Sequence, residues 1–193
     1  MMKRVEVFIL AGGKSSRMGQ DKGLVHFHGR PLIAHVLDVA KNVSSSINIV
    51  TSNSDYLIFG CPLVKDIVPD KGPAGGVFTA LTFAKEPFVL VVGCDMPMLD
   101  NRVIDQMMEM VSSVDLVVAS RNGKVEPLLA VYNTGCKEKW SELLHSGVLK
   151  MSDFFDRLNT YVFDVSVIPD LNERVFMNIN SPTIREALEQ FRK

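Results

Sequence analysis

Three cations, Lys14, Arg17 and Lys22, fall within nine residues of one another, with Gly12 and Gly13 directly before them and Gly19 among them. Glycine lets a backbone approach a ligand closely and adopt left-handed angles that other residues avoid. Exposed N–H groups in such a loop can form a nest for an anion. Polyphosphates need this kind of local positive charge. The whole chain carries a formal net charge of −1, from 21 basic and 22 acidic side chains. No global field therefore favours nucleic acid or an anionic membrane, and phosphate binding has to be local.

A second candidate is Asp95, in Gly93-Cys94-Asp95-Met96-Pro97, which follows the strongly apolar run Phe88–Val92. A carboxylate at the C-terminal end of a buried parallel strand lies where open α/β sheets bind ligands. Mg2+ takes hard oxygen donors, commonly one or two carboxylates completed by phosphate and water, so Asp95 alone could anchor a nucleotide-bound ion. Its alternative role is to cap the segment after Pro97. Asp66, after the apolar pair Leu63-Val64, has a loop cap as its alternative. Cys61, Cys94 and Cys136 are widely spaced and form no C-x-x-C pair, which excludes a zinc ribbon and points to a reducing compartment. Cys94 reads as a small buried residue at a strand end rather than a nucleophile. His26 and His28 would share a face of an extended segment, but without a third ligand they read as surface residues.

The elements that must position these groups alternate between strand and helix. Val5–Leu10 is a short apolar run ended by glycines and predicts a buried strand. Residues 31–43 carry one apolar helical face, with Pro31 in the first turn. Ile47–Thr51 predicts a second strand, 73–84 a short helix, and Phe88–Val92 the central strand. Asp100 is the expected N-cap of a helix over 101–111. Leu116–Ala119 and Leu128–Tyr132 follow as strands, with residues 121–126 as a surface turn between them. Helices are expected over 136–145 and 152–158, strands over Tyr161–Val165 and Val175–Ile179, and a last helix from Ser181-Pro182. Trp140 and the methionines at 107, 108 and 110 read as packing. The 193 residues suit one domain spanning 1–193, a mostly parallel sheet covered on both faces. The N-terminal apolar run is too short for a signal peptide or a membrane span, so the expected location is the cytoplasm.

Spacing excludes two common phosphate loops. Walker A would need a glycine where Phe8 stands, and glycines at 12, 13 and 19 do not fit G-x-G-x-x-G. The segment Leu10-Ala11-Gly12-Gly13-Lys14-Ser15-Ser16-Arg17-Met18-Gly19-Gln20-Asp21-Lys22 instead resembles the L-A-G-G-x-S-x-R-M-G-x-D-K signature of nucleotidyltransferases, and Asp21-Lys22-Gly23-Leu24 is most similar to the molybdenum cofactor guanylyltransferase (MobA) family. Gly29-Arg30-Pro31-Leu32, Asp66 with Gly72-Pro73-Ala74-Gly75-Gly76, Cys94-Asp95-Met96-Pro97, Glu126-Pro127-Leu128 and Asn178-Ile179-Asn180-Ser181-Pro182 extend the resemblance over most of the chain.

The resemblance implies a three-layer α/β/α Rossmann-like nucleotidyltransferase fold. It implies GMP transfer from GTP to the terminal phosphate of molybdenum-molybdopterin, with pyrophosphate released. Arg17, Lys22 and Asp95 would be catalytic, and Asp95 would hold Mg2+. Leu10, Ala11, Gly12, Gly13, Lys22, Thr51, Asn53, Asp66 and Asp95 would bind the nucleotide. Asn178 and Asn180 would meet the acceptor; two amides in a strand could equally brace neighbouring loops. Transient contact with molybdopterin-loading proteins and apo-molybdoenzymes is also implied. Thr51 stands where the family often has asparagine, which leaves CTP in place of GTP as an alternative. Another phosphate acceptor, or a nucleotide-binding adaptor without chemistry, are further alternatives.

Overall fold

The computed structural model describes residues 4–12 and 21–179. Gly13, Lys14, Arg17, Asn180 and the helix expected from Ser181 lie outside the described residues.

Seven strands form the main sheet. In chain order they are β1 (Val5–Leu10), then, after the separate two-stranded hairpin β2 (His26–Phe27) and β3 (Arg30–Pro31), β4 (Ile47–Val50), β5 (Leu63–Val64), β6 (Phe88–Gly93), β7 (Leu116–Arg121), β8 (Lys124–Asn133) and β9 (Thr160–Asp164). The spatial order is β5-β4-β1-β6-β8-β7-β9. β1 pairs parallel with both β4 and β6, β4 with β5, and β7 with β9, whereas β8 runs antiparallel to β6 and β7. The helices are α1 (Leu32–Val43), α2 (Gly72–Phe83), α3 (Asn101–Met110), α4 (Lys137–His145) and α5 (Met151–Phe155). None of the helices among the described residues is long and apolar enough to cross a membrane.

Side chains alternate across a strand, so a strand buried on both faces feeds two cores. Val7 and Ile9 of β1, Leu90 and Val92 of β6, and Val117 and Ala119 of β7 pack with Ile33, Val36, Val103, Ile104 and Met107 from α1 and α3. Phe8, Val89, Val91, Leu116 and Val118 point the other way, onto Ala74, Val77 and Ala80 of α2 and Trp140, Leu144 and Phe154 of α4 and α5. The expected three-layer α/β/α arrangement with a mostly parallel sheet is therefore present. Trp140 is the main packing piece of the second core. It stacks on Phe154, meets Tyr132 edge-on, and its Nε1 donates to the Ala74 carbonyl at 3.0 Å.

Several local readings hold. Asp100 caps α3, its carboxylate accepting from Arg102 N at 2.9 Å. Met107 is buried in the first core, and Cys94 and Cys136 are buried free thiols. Burial pushes the Cys136 thiol up to about 12, which removes it as a nucleophile at neutral pH.

Others are corrected. Pro31 is the N-cap of α1, one residue before the helix, and closes the β2–β3 hairpin. The turn expected over 121–126 shrinks to Asn122-Gly123, both left-handed (φ 51° and 74°), because β7 and β8 continue to Arg121 and from Lys124. His26 and His28 do not share an extended face: His28 (φ 48°) enters the hairpin turn with Gly29. Val175–Ile179 is not a strand. The β7 edge is already taken by β9, and residues 173–176 form turns instead. Ile179 N then donates to the Asp95 carbonyl at 3.0 Å, which carries the tail over the strand ends.

Candidate active site

The parallel strands β1, β4, β5 and β6 end along one edge of the sheet. Leu10–Gly12 leaves β1 there, Thr51 leaves β4, Asp66 follows β5, and Asp95 follows β6. Main-chain bonds hold these exits in register: Ala11 N to Val50 O, Cys94 N to Leu10 O, and Thr51 N to Val64 O, all within 3.2 Å. Gly12 is not left-handed, and a Cβ placed on it would make only an ordinary 3.8 Å contact with Val50 O among the described residues. Its lack of a side chain opens space towards the edge rather than relieving a clash within the sheet.

Lys22 begins a single 3-10 turn, Lys22–Leu24, whose N-cap is Asp21. Its Nζ lies 3.5 Å from Asp95 Oδ2, with the two side chains 34% and 14% exposed, so the pair is sheltered yet open on one side. Burial raises the Asp95 carboxyl above the usual carboxylate range, while the Lys22 ammonium pulls it back down. Gly93 makes this placement possible, since a Cβ there would stand 2.9 Å from Asp95 Oδ1.

Glu126, near the start of antiparallel β8, reaches the same edge. Its Oε1 accepts from Leu128 N at 3.2 Å and its Oε2 from Asn178 Nδ2 at 2.9 Å. Burial raises its carboxyl as well, and the Asp95 charge adds to that. Asn178 Oδ1 is buried with no hydrogen-bond partner among the described residues. A cleft of about 360 Å³ opens beside these two residues, lined also by Arg121, Lys124, Phe176 and Met177.

The remaining expected residues are placed as follows. Thr51 is buried, and its Oγ1 accepts from Asn53 N at 3.1 Å. Asp66 Oδ1 accepts from Thr79 Oγ1 at 2.7 Å and from Val68 N, so it fastens its loop to α2. Lys22 and Asp95 are brought together beside Leu10–Gly12. Asn178 stands with Glu126 and is not in a strand. Sequence reasoning missed Glu126 as a site residue, although Pro127 behind it belongs to a quoted motif. It also missed Tyr56, which carries no motif signal. Its hydroxyl donates to Asp21 Oδ1.

The donor chemistry fits a divalent cation such as Mg2+ that is completed by oxygens of a bound ligand. Two sheltered carboxylates reach the edge, and of these Glu126 already accepts hydrogen bonds on both oxygens, which leaves Asp95 as the candidate ligand. The described residues contain no group of three or more His, Cys, Asp or Glu that could enclose an ion without oxygens from a ligand.

Residues 7–160 match the family model described as a MobA-like NTP transferase domain. The probable molybdenum cofactor guanylyltransferase of Carboxydothermus hydrogenoformans is 30% identical over 189 residues, 97% of this chain and 96% of that protein. The molybdenum cofactor guanylyltransferase of Vibrio cholerae is 33% identical, over 95% of this chain and 89% of its own length. Among solved structures, molybdopterin-guanine dinucleotide biosynthesis protein A from Archaeoglobus fulgidus superposes with a TM-score of 0.80 at 22% identity, covering 96% of this chain and 97% of that one. With a matched domain covering most of its length and relatives aligned nearly end to end, this chain belongs to the MobA-like NTP transferase family.

Proposed function

We propose that the protein transfers GMP from GTP to the terminal phosphate of molybdenum-molybdopterin, making the guanine dinucleotide form of that cofactor. The observation that carries this reading is the sheltered Lys22–Asp95 pair beside the glycine exit of β1, in a chain of this family.

An acceptor phosphate oxygen attacks the α-phosphorus of GTP in line. The new P–O bond forms as the bond to the α–β bridging oxygen breaks, and pyrophosphate leaves with that electron pair. A phosphate monoester is largely ionised near neutral pH, so no general base is needed. Positioning and charge neutralisation dominate such chemistry. The backbone of Leu10, Ala11, Gly12 and Gly13 cradles the nucleotide, with Thr51, Asn53 and Asp66 bordering it. Lys22 meets the charge that develops on the leaving pyrophosphate, and Arg17 is the second cation for that role. Asp95 holds Mg2+, which when bound supplies Lewis-acid neutralisation of phosphate oxygens. Asn178 and Asn180 would bind the acceptor. The Asn178 side-chain carbonyl, buried with no donor among the described residues, supports this, because such an acceptor atom can take one from a ligand.

The test is pyrophosphate release with and without Mg2+ and molybdopterin, with GTP and CTP in competition. Lys22→Ala and Asp95→Ala should each lower turnover by roughly 100-fold or more, with circular dichroism unchanged. Turnover at the wild-type rate in either variant would overturn the reading.

A further inference from the structure

Resting on that reading of Lys22, we infer that Asp21, Tyr56 and Asn53 form a positioning relay that sets the Lys22 turn and ties it to the segment leaving β4.

The Asp21 carboxylate is shared three ways. Oδ1 accepts from Gly23 N at 3.3 Å, which closes the turn carrying Lys22, and also from the Tyr56 hydroxyl. Oδ2 accepts from Asn53 Nδ2 at 3.3 Å. Asn53 in turn is pinned by its own caps: its Oδ1 accepts from Asp55 N at 2.9 Å and its backbone N donates to Thr51 Oγ1. Tyr56 is fully buried, 35 residues from Asp21 in sequence. Burial raises its hydroxyl well above the ordinary tyrosine range, so it remains a donor throughout the working pH range.

Packing narrows the arrangement further. A Cβ on Gly23 would collide with the Tyr56 hydroxyl and stand 3.2 Å from Cys94 Sγ, the residue before Asp95. The Lys22 turn is therefore seated on Tyr56 from one side and against the Asp95 loop from another. None of the three residues in the relay needs to touch a phosphate to act. They fix where the Lys22 ammonium stands relative to Asp95, and small displacements of a charge-stabilising group cost rate steeply. The relay also starts at Thr51 and Asn53, on the nucleotide side of β4, so occupancy there bears on Lys22 through three hydrogen bonds.

Asp21→Asn turns the Oδ2 acceptor into a donor facing the Asn53 amide, and Tyr56→Phe deletes one donor while keeping the ring. Each should lower kcat by roughly 10- to 100-fold, with a much smaller change in the GTP KM, because Lys22 acts on charge present in the transition state. The reciprocal double variant Asp21→Asn/Asn53→Asp restores a donor–acceptor pair and should recover most of the lost kcat. In a Lys22→Ala background, Tyr56→Phe should cost little further rate, since the group it positions is gone. Melting curves verify that each variant is folded. Wild-type kcat in Asp21→Asn and Tyr56→Phe would overturn the inference, as would losses that persist in full in the Lys22→Ala background. If Lys22→Ala itself retains wild-type turnover, the reading of Lys22 fails first. If it loses turnover while the relay variants do not, only the relay fails.

Discussion

Asp95 is held between two opposing influences: burial favours its neutral form and Lys22, 3.5 Å away, favours the carboxylate. Burial is the larger, so in the metal-free protein the folded state keeps the Asp95 proton to higher pH than the unfolded chain does. In that interval the native state binds more protons, and stability falls as pH rises through it. Asp95→Asn should remove this slope, leaving the metal-free variant relatively more stable at neutral pH than in acid, by comparison with wild type. Lys22→Ala should move the Asp95 titration further up, because the Lys22 ammonium that opposes burial has gone. Chemical denaturation of the metal-free proteins across pH measures the first effect, and carbon-detected NMR titration of the Asp95 carboxyl without metal measures the second. A downward movement in Lys22→Ala would show that the pair does not interact as the geometry requires.

Elements bring these residues within reach, and α2 shows how tightly. It starts at Gly72 with Pro73 in its first turn, and buries Ala74, Gly75, Gly76, Val77 and Ala80 against the sheet. A Cβ on Gly75 would stand 2.8 Å from the Val68 carbonyl, and one on Gly76 2.9 Å from Leu10 Cδ1. The Gly75 neighbour is backbone and cannot swing aside, whereas Leu10 is the end of a flexible side chain. Alanine in a helix ordinarily gains about 1 kcal/mol over glycine. Gly75→Ala should nevertheless destabilise, by about 1–3 kcal/mol as overpacking does, and disturb the Asp66 loop through Val68. Gly76→Ala should cost less. Chemical denaturation of the two variants separates these outcomes. The sequence reading placed α2, β1, β4 and β6 within a residue or two, because long apolar runs and capping residues such as Asp100 are local signals. It did not resolve β2, β3 and β5, two residues each, because strands that short have no periodicity to read.

For the molecule as a whole, the sheet divides two cores, and Trp140 ties α4 to α2 and α5 in one of them. Trp140→Ala removes the stack on Phe154, the edge contact with Tyr132 and the bond to Ala74 O. The expected loss is about 3–5 kcal/mol, read as a large drop in Tm. Trp140→Phe, which keeps the ring contacts but not the donor, should lie between that variant and wild type.

Amino-acid order alone was sufficient for the α/β alternation, the glycine exit of β1, and the choice of Lys22 and Asp95, which the fold brings within 3.5 Å of each other. Each of these is written in neighbouring residues, as an apolar period, a turn former or a short motif. Long-range pairing decided the rest. The antiparallel course of β8 carries Glu126 back to the edge where Asp95 follows β6. Docking of Ile179 on the Asp95 carbonyl draws Asn178 to Glu126 in place of the expected strand. Tyr56 meets Asp21 across 35 residues. Such contacts depend on how strands pair and which edges are already filled, and no local pattern of side chains records that.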